Sequence, residues 1–582
     1  MTEGTFVTDA ADSIDVRTDP SRYRHWRFGV DGAVATVTMD VDPDGGLRGD
    51  YELKTNSYDL GVDIELYDLV QRLRFEHPGV KAVVVTGGLD KIFCAGANIQ
   101  MLAGSTHAHK VNFCKFTNET RNGIEDASAN SGQVWIAAVH GTAAGGGYEL
   151  ALACDEILLV DDKSSAVSLP EIPLLAVLPG TGGLTRVVDK RFVRRDLADA
   201  FATKTEGVKG QTAVDWNLVD HIAPPSAFDA LVAERAAVRS AESDRPSDAV
   251  GIELGPIDRT HGVRHQMSPT GEQGDEVEAI DWSTLSIEID RSLGTATFVV
   301  AAPTGDEPTD AAGLHAAGAD AWVLRAVREL DDAILHLRLN EPEIGTWVFR
   351  TTGDADAVAQ AEAILRGPDA ADWLVREVRL MWGRTLSRVD VSSRSLVALV
   401  EPGSCFVGLL AELLLAADRS FMLDGTWEDL DDPPEPATIR LTEVNHWSHG
   451  GAVPMINGLS RLATRFWGRD AALAAATAMV GKDLDAAAAM NVELVTETPD
   501  DLDWPDEVRL TLEERASFSP DALTGMEANY RFVGPETMLT KIFARLTAWQ
   551  NWIFQRPNAV GPEGALRRFG TGSRPDFDPH RV

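Results

Sequence analysis

Two carboxylates and two runs of small residues are the parts of this sequence best suited to chemistry. Glu149 closes the run Val139-His140-Gly141-Thr142-Ala143-Ala144-Gly145-Gly146-Gly147-Tyr148, and Glu171 lies 22 residues further on, in Leu169-Pro170-Glu171-Ile172-Pro173. A second small-residue turn, Phe93-Cys94-Ala95-Gly96-Ala97-Asn98, precedes both. Small residues let a ligand approach the backbone, and helix N-termini present unpaired N–H groups with a favourable dipole. Two such turns facing each other can hold a developing oxyanion. Paired carboxylates divide acid and base work when their surroundings push their pKa values apart. The first turn of a helix favours an ionised Glu149, and an apolar wall favours a protonated Glu171. Each feature alone has a plain structural reading, since glycine-rich strand-to-helix turns and first-turn acids are common. The Gly145–Gly147 run has neither the Lys-Ser/Thr ending of a phosphate loop nor the spacing of a dinucleotide fingerprint.

The elements that must position these residues alternate between strand and helix. Ala33 to Met39 is a β-branched run, Leu66 to Arg74 has helical spacing, and Val80 to Thr86 and Val134 to Val139 are apolar strands. Glu149 to Cys154 begins a helix and Glu156 to Val160 returns to strand, so the first half predicts an α/β fold with crossover connections. The second half repeats it. Ala33 to Val37 has a counterpart in Gly294 to Val299, and the strand before Gly87-Gly88 matches Thr346 to Arg350. Val134 to Val160 matches Ser395 to Leu423, with Glu149 and Asp155 opposite Glu412 and Asp418, and Leu169 to Ile172 matches Leu441 to Val444. Four matches in one order indicate a duplication. The expected organisation is a catalytic domain over 1–240, a Ser/Asp/Pro/Gly/Glu-rich linker over 241–280 and a degenerate copy over 281–520. A C-terminal helical segment and tail, 521–582, includes the helical pattern Met538 to Phe554.

Composition narrows the function classes. The chain has 582 residues, 44% hydrophobic and 25% charged, enough for a sizeable core, and a net charge of −37 that disfavours nucleic acid and anionic membrane as partners. Its four cysteines, Cys94, Cys114, Cys154 and Cys405, show no CxxC spacing, and 1–15 has no apolar core of a signal peptide, so a cytoplasmic setting is expected. The apolar run Cys405 to Ala417 is short and contains Glu412, which predicts a buried helix and no membrane span. His446 and His449 have no carboxylate or cysteine cluster around them, and no metal site is expected.

The two turns, the glutamate pair and the later Pro179-Gly180-Thr181-Gly182-Gly183-Leu184 together resemble the crotonase (enoyl-CoA hydratase/isomerase) superfamily from about Trp26 to Pro224. The resemblance implies a ββα spiral fold and a thioester oxygen bound by the Ala97 and Gly146 amides. Glu149 and Glu171 would then be the catalytic pair. Gly145, Gly147 and Asn98 flank the donors as candidate substrate contacts, although ordinary hydratases usually carry Asp at the position of Asn98. Cys114 lies on Lys110 to Arg121, the segment that covers the acyl pocket in crotonases, where it either packs or lines the site. Lys54 and Lys91 lie near the right turns to meet CoA phosphates, though each also reads as an ordinary solvated lysine. In the second copy, Gly408-Leu409-Leu410 replaces the glycines and no turn like Phe93 to Asn98 follows Thr352-Gly353-Asp354. Leucine side chains over that turn are expected to block a thioester, leaving a structural half.

Length, duplication and three stretches narrow the resemblance to the benzoyl-CoA-dihydrodiol lyases, also called 2,3-epoxybenzoyl-CoA dihydrolases. The stretches are Leu53 to Leu66, Phe113 to Arg121 and Asn529 to Glu536. That family implies ring opening and cleavage of 2,3-epoxy-2,3-dihydrobenzoyl-CoA with water. The products are 3,4-didehydroadipyl-CoA semialdehyde and formate, in aerobic benzoate degradation. One glutamate, Glu149 or Glu171, would activate water while the other protonates the departing oxygen. No cofactor is implied beyond the coenzyme A of the substrate, and a homo-oligomer, most simply a dimer, is expected. An enoyl-CoA hydratase or isomerase acting on another acyl-CoA needs the same residues, and a CoA-ester-binding scaffold is the non-enzymatic alternative.

Overall fold

The computed structural model describes residues 13–267, 271, 273–428, 430–446 and 453–582. The chain forms two units that divide between Pro256 and Ile257. In the first, six strands make one sheet in the order Trp26–Asp31, Val34–Met39, Ala82–Gly87, Val134–Val139, Glu156–Val160, His221–Ala223. The first pair is antiparallel and each later neighbour is parallel. Parallel strands covered on both faces need continuous apolar sequence, and Val83, Val85, Ile136, Ala137, Leu158 and Leu159 are all buried. Short strands beside this sheet carry the chemical turns. Thr142–Ala144 pairs with Ile92–Cys94 on one side and Val167–Ser168 on the other, while Ser57–Tyr58 pairs with Gly96–Ala97.

Two long helices cover the turns. Leu60–Phe75 starts at Asp59, whose carboxylate accepts from Gly61 N–H at 2.9 Å and Val62 N–H at 3.3 Å. His107–Ser131 is capped by Thr106 and stops at Gly132, which adopts φ 67°. Deep between them, Asp63 pairs with Arg121 and accepts from the Thr117 hydroxyl at 2.5 Å. The Arg121 guanidinium also lies 5.4 Å from the Tyr58 ring.

The second unit repeats the plan around a seven-stranded sheet, Thr260–Met267, Gln273–Asp281, Leu285–Asp290, Thr295–Ala301, Thr346–Thr352, Ser395–Val400, Arg419–Met422. One contact of the first unit recurs in the second. The Asp155 carboxylate accepts from Trp135 N–H at 2.8 Å, and Asp418 does the same for Leu396 N–H at 2.8 Å. Behind the sheet, Pro520–Tyr530 and a helical run from Met538 to Ile553 form the C-terminal segment, with a wider π turn at Lys541–Leu546.

Two expectations differ from this arrangement. The 241–280 stretch is no bare linker. Arg245 is buried and donates to Pro78 O and Ser131 O, and Ile252 N–H donates to Phe75 O, all within the first unit. Thr260–Met267 and Gln273–Asp281 form a hairpin of the second, and its polar sequence reflects strands largely exposed on both faces. Cys405 to Ala417 is buried but is a strand, Phe406–Val407, followed by a turn and the helix Ala411–Ala416. Among the described residues no helix is long and apolar enough to cross a membrane.

Arg121→Met would leave the Asp63 carboxylate buried without its cation. Denaturant unfolding of the first unit should then show a loss of roughly 3–5 kcal/mol, and an unchanged midpoint would mean that the pair is dispensable.

Candidate active site

The two small-residue turns touch through their backbones. Gly96 adopts φ 90°, and a Cβ placed on it would lie 2.8 Å from Ala144 O and 2.9 Å from Gly146 N. Only glycine permits that approach, which sets the Gly96–Ala97 peptide beside the Gly146 amide. Asn98 N–H donates to Tyr58 O at 2.8 Å, so in this parallel ladder the neighbouring Ala97 N–H faces away from the Tyr58 strand. Gly146 is the first residue of the Gly146–Ala153 helix, and its N–H therefore has no acceptor inside the helix. Gly145 holds this turn with φ 53°, donating to Ser168 O at 2.9 Å and accepting from Glu149 N–H at 3.0 Å.

The glutamates flank this junction in contrasting surroundings. Glu149 is buried, and its Oε1 accepts from Thr181 N–H at 3.0 Å and Gly183 N–H at 2.7 Å, while Oε2 accepts from the Thr181 hydroxyl. Glu171 opens the short helix Glu171–Leu175, with Oε1 against Gly145, where an added Cβ would lie 2.6 Å away. Its Oε2 is buried without a hydrogen-bond partner among the described residues. Burial pushes the Glu171 carboxyl up to about 7, and the Glu149 charge pushes the same way. One acid is thus a fixed acceptor and the other keeps its proton towards neutrality.

The other candidate residues sort by what they touch. Cys114 Sγ lies against Gly180, at 3.5 Å from a Cβ built there, and burial pushes its thiol up to about 11. It therefore faces the turn carrying Thr181 as a neutral thiol. Asn98 has both amide atoms engaged within the protein: Oδ1 accepts from Met101 N–H at 2.9 Å, and Nδ2 donates to Glu52 O at 2.7 Å and Ser57 Oγ at 3.2 Å. That makes it a cap and cross-tie in place of the substrate contact expected. Gly147 faces Cys94, whose carbonyl oxygen would be 2.4 Å from an added Cβ, so its smallness serves packing. Lys54 is exposed and pairs with Glu52 at 2.6 Å.

Thr181 and Gly183 belong to the motif Pro179 to Leu184, whose residues carry no assigned role in the sequence alone. Here they hold Glu149, and Arg186 fixes their turn by donating to Thr181 O at 3.1 Å while gripping Glu125. The pattern Gly180-Thr181-Gly182-Gly183 was the available signal, with Gly182 at φ 92°.

The second unit shows how the same turn loses the site. Gly408 adopts φ 49°, donates to Arg440 O at 3.1 Å and accepts from Glu412 N–H at 3.2 Å, as Gly145 does in the first unit. Leu409 N–H thus corresponds to Gly146 N–H, and it donates to Glu362 Oε2 at 2.6 Å. Glu362 also accepts from the Thr442 hydroxyl at 2.6 Å and is fully buried. The leucine side chains are buried in the core, so the site is closed by a carboxylate and not by leucines over the turn. Glu412 is tied to Arg461 at 3.1 Å and to Asn445 at 2.7 Å, and Glu443 pairs with Arg366. Among the described residues no cluster of His, Cys, Asp or Glu suits a metal ion, and His449 lies outside them.

Residues 52–244, within the first unit, match the enoyl-CoA hydratase/isomerase family. A benzoyl-CoA-dihydrodiol lyase of Aromatoleum evansii is 54% identical over 572 residues, 98% of this chain and 98% of its own. The chain belongs to the benzoyl-CoA-dihydrodiol lyase family. The fatty acid oxidation complex subunit alpha of Aliivibrio fischeri is 26% identical over 230 residues, 39% of this chain and 31% of its own. Among solved structures, an enoyl-CoA hydratase of Geobacillus kaustophilus HTA426 is 29% identical over 38% of this chain and 75% of its own, with a TM-score of 0.33.

Members of the enoyl-CoA hydratase/isomerase family act on acyl-CoA thioesters. Holding Glu149 in line is the task of Thr181. Thr181→Val removes one donor to a charged group, worth roughly 1.5–3 kcal/mol, so steady-state kinetics should show kcat falling about ten- to a hundredfold with KM nearly unchanged. An unaltered kcat would dissociate Thr181 from the work of Glu149.

Proposed function

We propose that this chain opens and cleaves the ring of 2,3-epoxy-2,3-dihydrobenzoyl-CoA with water, releasing formate and 3,4-didehydroadipyl-CoA semialdehyde in aerobic benzoate degradation. The full-length likeness to a benzoyl-CoA-dihydrodiol lyase supports the substrate class. The observation that carries the chemistry is the contrast between the two acids: Glu149 gripped as an acceptor, and Glu171 pushed up to about 7 beside the amide junction.

The Ala97 and Gly146 amides polarise the thioester carbonyl, which draws electrons from the attached ring carbons. Glu149, held by Thr181 and Gly183, takes a proton from water as the water oxygen bonds to a ring carbon. Glu171 gives its proton to the oxygen whose bond to carbon breaks. A second water then adds to the carbon that leaves as formate. Its carbon–carbon bond breaks with the electron pair passing to the carbon beside the thioester, and that carbon takes up a proton from the acid pair. Because the thioester is the electron sink, these steps call for no metal or redox cofactor. Leu174, Val177 and Leu178 form an exposed apolar edge next to Glu171, suited to an apolar acyl group. The neutral Cys114 thiol is a lining group in this scheme. Lys54, paired with Glu52, is a weak candidate for the CoA phosphates. The polar side of Asn98 and the packing of Gly147 place both in support of the turns.

Formate release from the epoxybenzoyl-CoA, set against hydration of a simple unsaturated acyl-CoA, tests the reading. Formate from the first with little turnover of the second is expected, and the reverse would make the protein an ordinary hydratase. Glu171 is protonated below its raised value, so kcat/KM should fall about tenfold per pH unit above about 7. Glu171→Gln should remove that limb and lower kcat at least about a hundredfold while CoA-ester binding persists. Loss of binding without a change in the limb would reject the assignment.

A further inference from the structure

A buried phenol sits at the junction of the two turns, and no step described above uses it. Tyr58 is 1% exposed. Its backbone is in register with Ala97, and its carbonyl accepts from Asn98 N–H at 2.8 Å. The ring lies 5.8 Å from that of Phe113 and 5.4 Å from the Arg121 guanidinium. Its far end faces the other turn, because a Cβ on Gly146 would lie 2.0 Å from the hydroxyl oxygen. One residue therefore touches both turns, through its backbone on one side and its hydroxyl on the other.

That hydroxyl has no hydrogen-bond partner among the described residues. Three other phenols of this unit are satisfied: Tyr148 donates to Leu218 O at 2.7 Å, Tyr23 to Asp68 at 2.5 Å and Tyr51 to Asp59 at 2.5 Å. A buried polar group without a partner is unfavourable, and phenylalanine would fill the same space without that penalty. Burial holds the Tyr58 phenol well above its ordinary range, so it is a neutral donor at working pH. The guanidinium at the ring polarises the O–H further.

We propose that the Tyr58 hydroxyl is a third donor to the thioester oxygen, completing an oxyanion site with the Ala97 and Gly146 amides. This rests on the reading of those amides given above. The O–H stays protonated and strengthens its hydrogen bond as charge gathers on that oxygen, so its effect falls on kcat more than on binding.

The test uses Tyr58→Phe in the full chain with benzoyl-CoA carrying 13C at the thioester carbonyl, an ester that lacks the epoxide. Infrared difference spectra should show the carbonyl stretch lowered on binding to the unmodified protein and partly restored in the variant. Turnover of the epoxide should fall about a hundredfold with Kd for benzoyl-CoA within about threefold, and the denaturation midpoint should hold or rise. A variant with the same bound stretch and kcat within about twofold would leave the hydroxyl a packing group. A marked loss of stability would reveal a structural partner and overturn the proposal as well. If the unmodified protein itself fails to lower the stretch, the oxyanion reading falls, and the Tyr58 proposal with it.

Discussion

Two amides from separate turns can serve one oxygen only if the turns lie side by side, and under the proposed function that approach is the constraint on which the rest of the first unit depends. It is met where Gly96 packs on Ala144 O and Gly146 N, at distances that no residue with a Cβ could adopt. The neighbouring requirements follow from it. Gly145 must take a positive φ to turn its helix toward the junction, and it must lack a side chain so that Glu171 can lie against it. Tyr58 and Asp63 come from adjoining parts of the Ser57–Phe75 segment, and the buried Arg121 links them to the covering helix. Stability and chemistry therefore share residues, because the polar cluster below the turns is also what sets their spacing.

The duplicated half supplies an internal control. Its turn has kept the geometry, with Gly408 matching Gly145 in dihedral and in hydrogen bonds, yet the amide that would serve a thioester is taken by the Glu362 carboxylate. An acid oxygen at that amide shows what the turn prefers: an N–H left without a backbone acceptor just ahead of a helix takes an oxygen acceptor. In the first unit no carboxylate among the described residues accepts from Gly146 N–H, and Glu149 is held by Thr181 and Gly183. Glu412 is held by Arg461 and Asn445 much as Glu149 is held by Thr181 and Gly183, so the difference between the copies comes down to one additional acid, Glu362, on the turn amide.

Much of this was legible in the sequence where the signal is local. The apolar runs at Val80 to Thr86 and Val134 to Val139 gave their strands because both faces are buried. The spacing of the glycines and of Glu149 carried the amide turns. Contacts that join distant positions left little trace. Thr181 sits 32 residues from Glu149, and nothing in its immediate neighbours announces a carboxylate partner. The hairpin at Thr260–Met267 and Gln273–Asp281 escaped because strands exposed on both faces need no apolar alternation. The role of Glu362 was hidden for a similar reason, since a glutamate on a helix reads as solvated until its neighbours are known.

The proposed chemistry requires one oxygen atom to lie between two amides. A crystal structure of the Glu171→Gln protein with benzoyl-CoA bound would address it directly. The account predicts the thioester oxygen within about 3 Å of both Ala97 N and Gly146 N, with residues 149 and 171 on either side of the ring. A carbonyl held elsewhere, with those two amides facing solvent or protein, would contradict it.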